Sequence, residues 1–260
     1  MLTIAISTNS VNYNIMISDL LENGPAYQSL NISVIVFVQS VTPIYIELPP
    51  WIDVHHESST GLSKSRNAVI RLCRTKWLWF QDDDLIIDFG ELKRLVFFLE
   101  SYAGDLVFVK IRSAEDGSVY YKNYSFHNKT SQLNCNKISS IEIIGRADFF
   151  RDKGLLFNEQ LGLGSPLPCC EENLFIWDCF KSFARVVYLN CSPCLHTLLV
   201  KDRYKNSYRH YLARGYYLRY LPLYFAIPLM VRWGVRSRID VGMCSGFRGL
   251  IIGFFSHKPD

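Results

Sequence analysis

Trp77-Leu-Trp-Phe-Gln-Asp82-Asp83-Asp84 sets an aromatic, strand-like run directly before three consecutive carboxylates. Adjacent like charges repel and Asp is a poor strand former, so three in a row at the end of a buried strand need compensation. Two readings are open. In one, the carboxylates end the strand in a solvated turn and Asp88 caps the helix that follows. In the other, they serve a divalent cation. Ligands of open α/β sheets collect outside the carboxyl ends of the strands, which is where this cluster falls. Oxygen ligands on a short loop suit Mg²⁺ or Mn²⁺, held by one or two carboxylates plus substrate phosphates.

Working outward, apolar runs and helical patterns alternate. Leu2 to Ser7 and Ile32 to Val38 are short β-branched runs that fit buried strands, with a helix over about 12–21 between them. Gly61-Leu-Ser63 opens a further helix through about Arg74, with Ser63 as its expected N-cap. Asp88-Phe-Gly-Glu91 is a capping-box pattern, and Leu92, Leu95, Val96 and Leu99 follow at helical spacing. Leu106 to Ile111 and Ile141 to Ile144 read as strands. The polar stretch from Ser113 to Asn136 between them reads as a hairpin or loop, a candidate for the acceptor side of a site. This rhythm predicts an α/β protein with a mostly parallel sheet.

With 260 residues and 49% hydrophobic content, the chain can bury a large core in one or two domains. The N-terminus lacks a basic start and a long apolar region, so a first strand is expected there and not a secretory signal. Reduced thiols are then the default for the eight cysteines. Cys191-Ser-Pro-Cys194 has the C-x-x-C spacing, but no second pair completes a zinc set.

The net charge of +4 is unevenly spread: Lys201 to Arg238 holds nine basic residues against Asp202 alone, +8, which leaves −4 for the remainder. Tyrosines and aliphatics interleave with these charges, as suits an anionic membrane surface. A helix pair packed on the core with a solvated basic face is the competing reading. The longest charge-free run, Tyr220 to Val231, contains Pro222 and Pro228 and falls short of the roughly 20 residues that a spanning helix needs. No nucleic-acid partner is expected, since the rest of the chain is acidic and carries no such motif.

A second constellation is Leu161-Gly-Leu-Gly164 followed by Cys170-Glu171-Glu172-Asn. Acids in the first turn of a helix (here expected over Glu171 to Phe183) can simply face its positive dipole end. Together, however, the two constellations supply the parts of sugar transfer from a nucleotide donor. A bound metal can stabilise a leaving diphosphate, and a separate carboxylate can deprotonate an attacking hydroxyl.

Gly61-Leu-Ser-Lys-Ser-Arg66-Asn67, Trp79-Phe-Gln-Asp-Asp-Asp84, Phe157-Asn-Glu-Gln-Leu-Gly162-Leu-Gly164 and Glu171-Glu172-Asn occur in the order found in family 2 glycosyltransferases of the GT-A fold, which the chain resembles over about 1–200. The likeness is to bacterial members that build capsule, O-antigen or lipooligosaccharide, and Tyr211-Leu-Ala-Arg214-Gly215 resembles their tail. The resemblance implies a GT-A catalytic domain over 1–200, a Rossmann-like sheet flanked by helices, and a C-terminal helical basic and aromatic segment over 201–260. It implies an inverting, metal-dependent transferase that uses a nucleotide sugar, UDP-linked by default, and a glycan or lipid-linked acceptor. The matching positions make Asp84 a metal ligand with Mn²⁺ or Mg²⁺, and put Asp82 and Asp83 near the ribose or diphosphate, with Asp82 a second metal ligand. Thr8 and Arg66 would face the nucleotide. Glu172 would be the general base, with Glu171 as fallback, and His196 would stand against the metal or diphosphate. The expected location is cytoplasmic, with peripheral attachment to the inner membrane.

The chain departs from the family where the first strand ends in Ser7-Thr-Asn-Ser10, not Pro-Thr-Tyr-Asn, and where the second ends in Val38-Gln39-Ser40 without the Asp that often reads the base. Two rivals remain. A sugar-nucleotide pyrophosphorylase would need a Gly-rich, basic phosphate loop, and Ser7 to Asn14 contain neither Gly nor Lys nor Arg. A non-catalytic membrane-associated assembly protein would need a degenerate site, which the intact Asp and Glu sets oppose.

Overall fold

The computed structural model describes residues 1–9, 11–40, 47–117, 119–120, 122, 137–197 and 206–256. Most of the polar 113–136 stretch, and Lys201, Arg203 and Lys205 of the basic segment, lie outside the described residues. The chain divides into two compact units, one of Met1–Thr60, Lys64–Leu156 and Ile176–Leu198, the other of Gly61–Ser63, Phe157–Phe175 and Leu199–Asp260.

The first unit is a seven-stranded sheet with helices. Its strands are β1 (Leu2–Asn9), β2 (Ile32–Gln39), β3 (Ile52–Glu57), β4 (Trp77–Asp82), β6 (Leu106–Phe108), β8 (Ile143–Arg146) and β9 (Val186–Tyr188), in the order β3-β2-β1-β4-β8-β6-β9. All the neighbouring pairs are parallel except those that β8 makes with β4 and β6. Val34, Val36 and Val38 of β2 are fully enclosed, each contributing about 2 kcal/mol relative to exposure. α1 (Tyr13–Glu22) turns Tyr13, Met16, Ile17 and Leu20 inward, and α2 (Gly24–Ser29), which the periodicity did not signal, carries the chain on to β2. In β4, Trp77 and Trp79 are buried, and each indole N–H donates to a carbonyl, of Leu99 at 3.0 Å and Ile141 at 2.8 Å. Those bonds remove the penalty of burying a polar edge.

Asp88 caps α4 (Phe89–Ser101) by accepting from the Glu91 N–H at 3.0 Å. Glu91 does not return the bond as in a full capping box; its carboxylate accepts from the Ser192 N–H at 3.0 Å and from Arg94 at 2.5 Å. The expected strand over Leu106 to Ile111 is two: β6, and β7 (Ile111–Ser113), which joins β5 (Ile86–Ile87) and β10 (Cys194–His196) in a small sheet ordered β5-β10-β7. The change of sheet comes at Lys110, whose N–H pairs with the Cys191 carbonyl. α5 (Ala147–Asp152) follows β8.

The second unit is helical. α7 (Tyr208–Leu218), α8 (Leu223–Arg236) and α9 (Met243–Phe255) pack through glycines. A Cβ on Gly215 would stand 2.2 Å from the Leu250 carbonyl oxygen, and one on Gly253 2.1 Å from that of Leu212, so only hydrogen at these positions lets α7 and α9 approach. Pro228 lies inside α8, which continues through it.

Candidate active site

The strand order 3-2-1-4 reverses direction between β1 and β4, and such a switch point opens a crevice at the carboxyl ends of the strands. Register fixes what meets there. Ser7 pairs with Asp82, so the last residues of β1 stand beside the carboxylates that end β4. The Thr8 hydroxyl donates to the Asp83 carboxylate at 2.5 Å. Arg66 comes from α3 (Leu62–Leu72), where Ser65 and Ser7 share a hydroxyl hydrogen bond of 2.8 Å that ties the helix to β1. The Arg66 side chain is only 3% exposed, donates to Ser140 at 2.6 Å, and lies 3.5 Å from an Asp82 oxygen.

His196 reaches the cluster through the small sheet. β5 begins two residues after Asp84 and pairs antiparallel with β10, Leu195 opposite Ile86, which leaves His196 Nε2 3.4 Å from the Asp84 carboxylate. The other ring nitrogen, Nδ1, donates to the Thr197 carbonyl at 2.7 Å. A backbone acceptor on one nitrogen orients the ring and its tautomer, as for metal-ligating histidines.

The electrostatics follow from these contacts. The hydrogen bond from His196 holds Asp84 below the usual carboxylate value, and the same bond raises His196. Burial raises Asp82, with Arg66 opposing and Asp84 and Asp83 adding to the rise. Anionic crowding at Asp82 and Asp83, relieved by one guanidinium and one imidazole, is a field that a divalent cation would relax.

Among the described residues no three His, Cys, Asp or Glu side chains are already gathered as a metal cluster. Asp84 and His196 offer two donors, and a metal bound by few protein ligands completes its shell with water and substrate phosphate. Beside the carboxylates a recess of about 220 Å³ is lined by Ile6, Ile15, Tyr27, Gln81 and Leu85 among others. Gln81 Nε2 is buried there with no hydrogen-bond partner among the described residues. An orphaned donor beside a carboxylate cluster fits an oxygen-rich ligand. The residues therefore fit a metal–diphosphate group.

Of the predicted site residues, Thr8, Arg66, Asp82, Asp83, Asp84 and His196 are brought together in the first unit. Glu171 and Glu172 belong to the second, at the start of α6 (Glu171–Lys181). There, Ser63 is not a cap but lies within α3, its hydroxyl donating to the Leu161 carbonyl at 2.6 Å, while the Leu62 N–H donates to Leu163 at 2.9 Å. Gly162 has φ 104°, and a Cβ on it would come within 3.0 Å of both Glu171 and Ser63. Cys170 enters α6 at φ 75°, a left-handed conformation that side chains rarely adopt. Glu171 is buried beneath this turn at 7% exposure, whereas Glu172 is partly exposed. Exposure thus separates two acids that are equivalent in the sequence.

Two supporting residues carried no sequence signal. Ser140 anchors Arg66 across 74 positions of chain, and Gln81 reads as an ordinary strand residue. The Cys191-x-x-Cys194 pair shows a structural use: the Cys191 thiol donates to the Glu91 carbonyl, burial pushes it up to about 12, and burial also raises Cys194.

The model of glycosyl transferase family 2 matches residues 38–156. Among solved structures, the chain is similar to S. aureus TarS 1-349 in complex with UDP-GlcNAc, at 16% identity over 94% of this chain and 75% of that one, with a TM-score of 0.64. The complex of the same protein with UDP matches at 18% identity over 91% and 71%, TM-score 0.59. Mannosyltransferase PcManGT from Pyrobaculum calidifontis, in complex with GDP-Man and Mn²⁺, matches at 12% identity over 97% and 73%, TM-score 0.55. A comparison with curated protein sequences gives no match. The strand order and these likenesses define a GT-A fold. Residues 38–156 thus match a glycosyl transferase family 2 domain, and the protein is a glycosyltransferase.

Proposed function

We propose that this glycosyltransferase moves a sugar from a nucleotide donor to the hydroxyl of a glycan or lipid-linked acceptor in bacterial surface-polysaccharide synthesis, with inversion. The observation that carries the donor half is the convergence of Thr8, Arg66, Asp82, Asp83, Asp84 and His196 at the β1–β4 switch point. A UDP-sugar is the preferred donor, supported by the UDP-GlcNAc and UDP complexes of the TarS structures.

In this reading Asp84 and His196 would hold Mn²⁺ or Mg²⁺, with Asp82 adjoining, and the ion supplies positive charge for the departing diphosphate. Arg66, buried and permanently cationic, holds Asp82 in place and keeps the carboxylates from repelling an incoming diphosphate. Thr8 fixes Asp83 toward the ribose. The partly exposed Glu172 takes the proton of the acceptor hydroxyl; the acceptor oxygen attacks the anomeric carbon, and the bond from that carbon to the diphosphate breaks. Glu171, packed under Gly162, positions the turn. Residues 1–200 would form the catalytic domain and 201–260 an appended segment. The location would be the cytoplasmic face of the inner membrane.

Calorimetric titration of nucleoside diphosphates with and without Mn²⁺, on wild type and Asp84→Ala, tests the donor site. Metal-dependent binding of one nucleotide that the variant loses supports it, and a folded wild type that binds none of the panel refutes it.

A further inference from the structure

The described C-terminal helices leave an apolar face in solvent. On α8, Tyr224, Ile227, Val231 and Val235 are all exposed, Tyr224 at 71%, and their spacing of three and four residues places them on one side. α9 ends likewise, with Ile251, Ile252 and Phe255 exposed, Phe255 at 74%, one and two turns beyond Arg248 on the same side. A row of this kind on a surface helix marks an interaction site, since apolar groups in water are each a lost opportunity for burial.

The charges beside the row indicate what covers it. Arg232 and Arg236 directly follow Val231 and Val235, about 100° further round the helix, and so border the apolar side. With Arg238 and Arg248 they are exposed and have no acidic partner among the described residues. Residues 206–256 contain seven arginines and one acid, Asp240, whose carboxylate already accepts from Tyr211 at 2.6 Å and Asn206 at 2.9 Å. A second copy of this face would set arginine against arginine, an arrangement that costs free energy. No helix of the described residues is long and apolar enough to cross a membrane.

We propose that α8 and the end of α9 lie in the headgroup region of an anionic phospholipid surface, with Tyr224, Ile227, Val231, Val235 and Phe255 inserted and Arg232, Arg236 and Arg248 on the lipid phosphates. Aliphatic insertion with basic residues at its edge is the pattern of interfacial helices, and arginine can bury its stem while its head stays in the polar layer. This rests on the transferase reading for its purpose, the capture of a lipid-linked acceptor, but not for its geometry.

The full chain is sedimented with vesicles of phosphatidylcholine alone or mixed with phosphatidylglycerol, comparing wild type, Ile227→Asp/Val231→Asp and Arg232→Glu/Arg236→Glu. The altered side chains are exposed, so circular dichroism should be unchanged. Wild type should bind the mixed vesicles and not the neutral ones, with each double variant weakening binding by at least about tenfold. Equal binding to both vesicle types, no binding by wild type, or undiminished binding by the aspartate variant overturns the proposal. If the aspartate variant instead dissolves a dimer seen by sedimentation velocity, the face is a protein interface and the proposal also fails. Nucleotide titration of the same samples separates the two readings: a chain that binds nucleotide but no vesicle refutes only the surface, and the reverse refutes only the donor site.

Discussion

The two units build specificity by opposite means. In the sheet unit, the candidate site is built from side chains that reach one another: Thr8 to Asp83, Arg66 to Asp82, His196 to Asp84. In the helical unit, structure comes from side chains that are missing, with Gly215 and Gly253 allowing backbones to touch and Gly162 making room for Glu171. A sheet aligns strand ends by hydrogen-bond register, so polar groups from distant parts of the chain gather at one edge. Helices have no such register and find theirs through close packing. Polar substitutions should therefore damage chemistry in the first unit, and volume substitutions should damage folding in the second.

Glu172→Gln breaks that pattern if Glu172 is the base, because it is a chemical residue placed by a glycine turn. Transfer should fall by about 10²–10⁴-fold, with nucleotide affinity retained. Single-turnover kinetics beside calorimetry measure both, and full turnover would remove Glu172 from the role. Gly253→Val should cost about 3 kcal/mol, since the added atoms meet the Leu212 backbone, which cannot move aside as a side chain would. Denaturant unfolding measures it, and a neutral result would mean that the α7–α9 packing is looser than drawn.

Arg66→Met sharpens the first half of the comparison and should destabilise by about 2–3 kcal/mol through the lost bond to Ser140 and the uncompensated Asp82. Its pH dependence has a definite sign. The folded state holds the Asp82 proton more tightly than the unfolded chain, where the usual value is 3.8, so raising the pH through the interval between the two values costs stability. Arg66 narrows that interval, and its removal should make stability fall more steeply above pH 3.8, as urea midpoints across a pH series would reveal. His196→Ala should weaken metal-dependent nucleotide binding by about 10–100-fold with little change in stability. Asp88→Ala, outside the cluster, should cost about 1 kcal/mol through the lost cap of α4 and leave nucleotide affinity unchanged.

Much of the first unit was legible because its signals are local. β-branched runs announced β1 and β2, an aromatic run announced β4, and the three carboxylates marked the end of β4 as a candidate site. The helical spacing of Leu92, Leu95 and Leu99 gave α4, and Asp88 gave its start. Less legible was whatever depended on a choice between equally plausible local states. Ser63 has the chemistry of a cap but is claimed by the Leu161 carbonyl, 98 positions away. The strand over Leu106 to Ile111 divides because Lys110 pairs with Cys191, a competition between two sheets that hydrophobic pattern cannot express.

By itself the sequence determined the α/β class, the carboxylate cluster and the acid pair, because periodicity and charge spacing are properties of neighbours along a chain. Only the tertiary structure decided that Arg66 is locked by Ser140, that His196 meets Asp84, that Glu171 is buried while Glu172 is partly exposed, and that one side of α8 faces solvent. Each of these depends on which distant residue fills the adjacent space, and packing in three dimensions, not order in one, settles that.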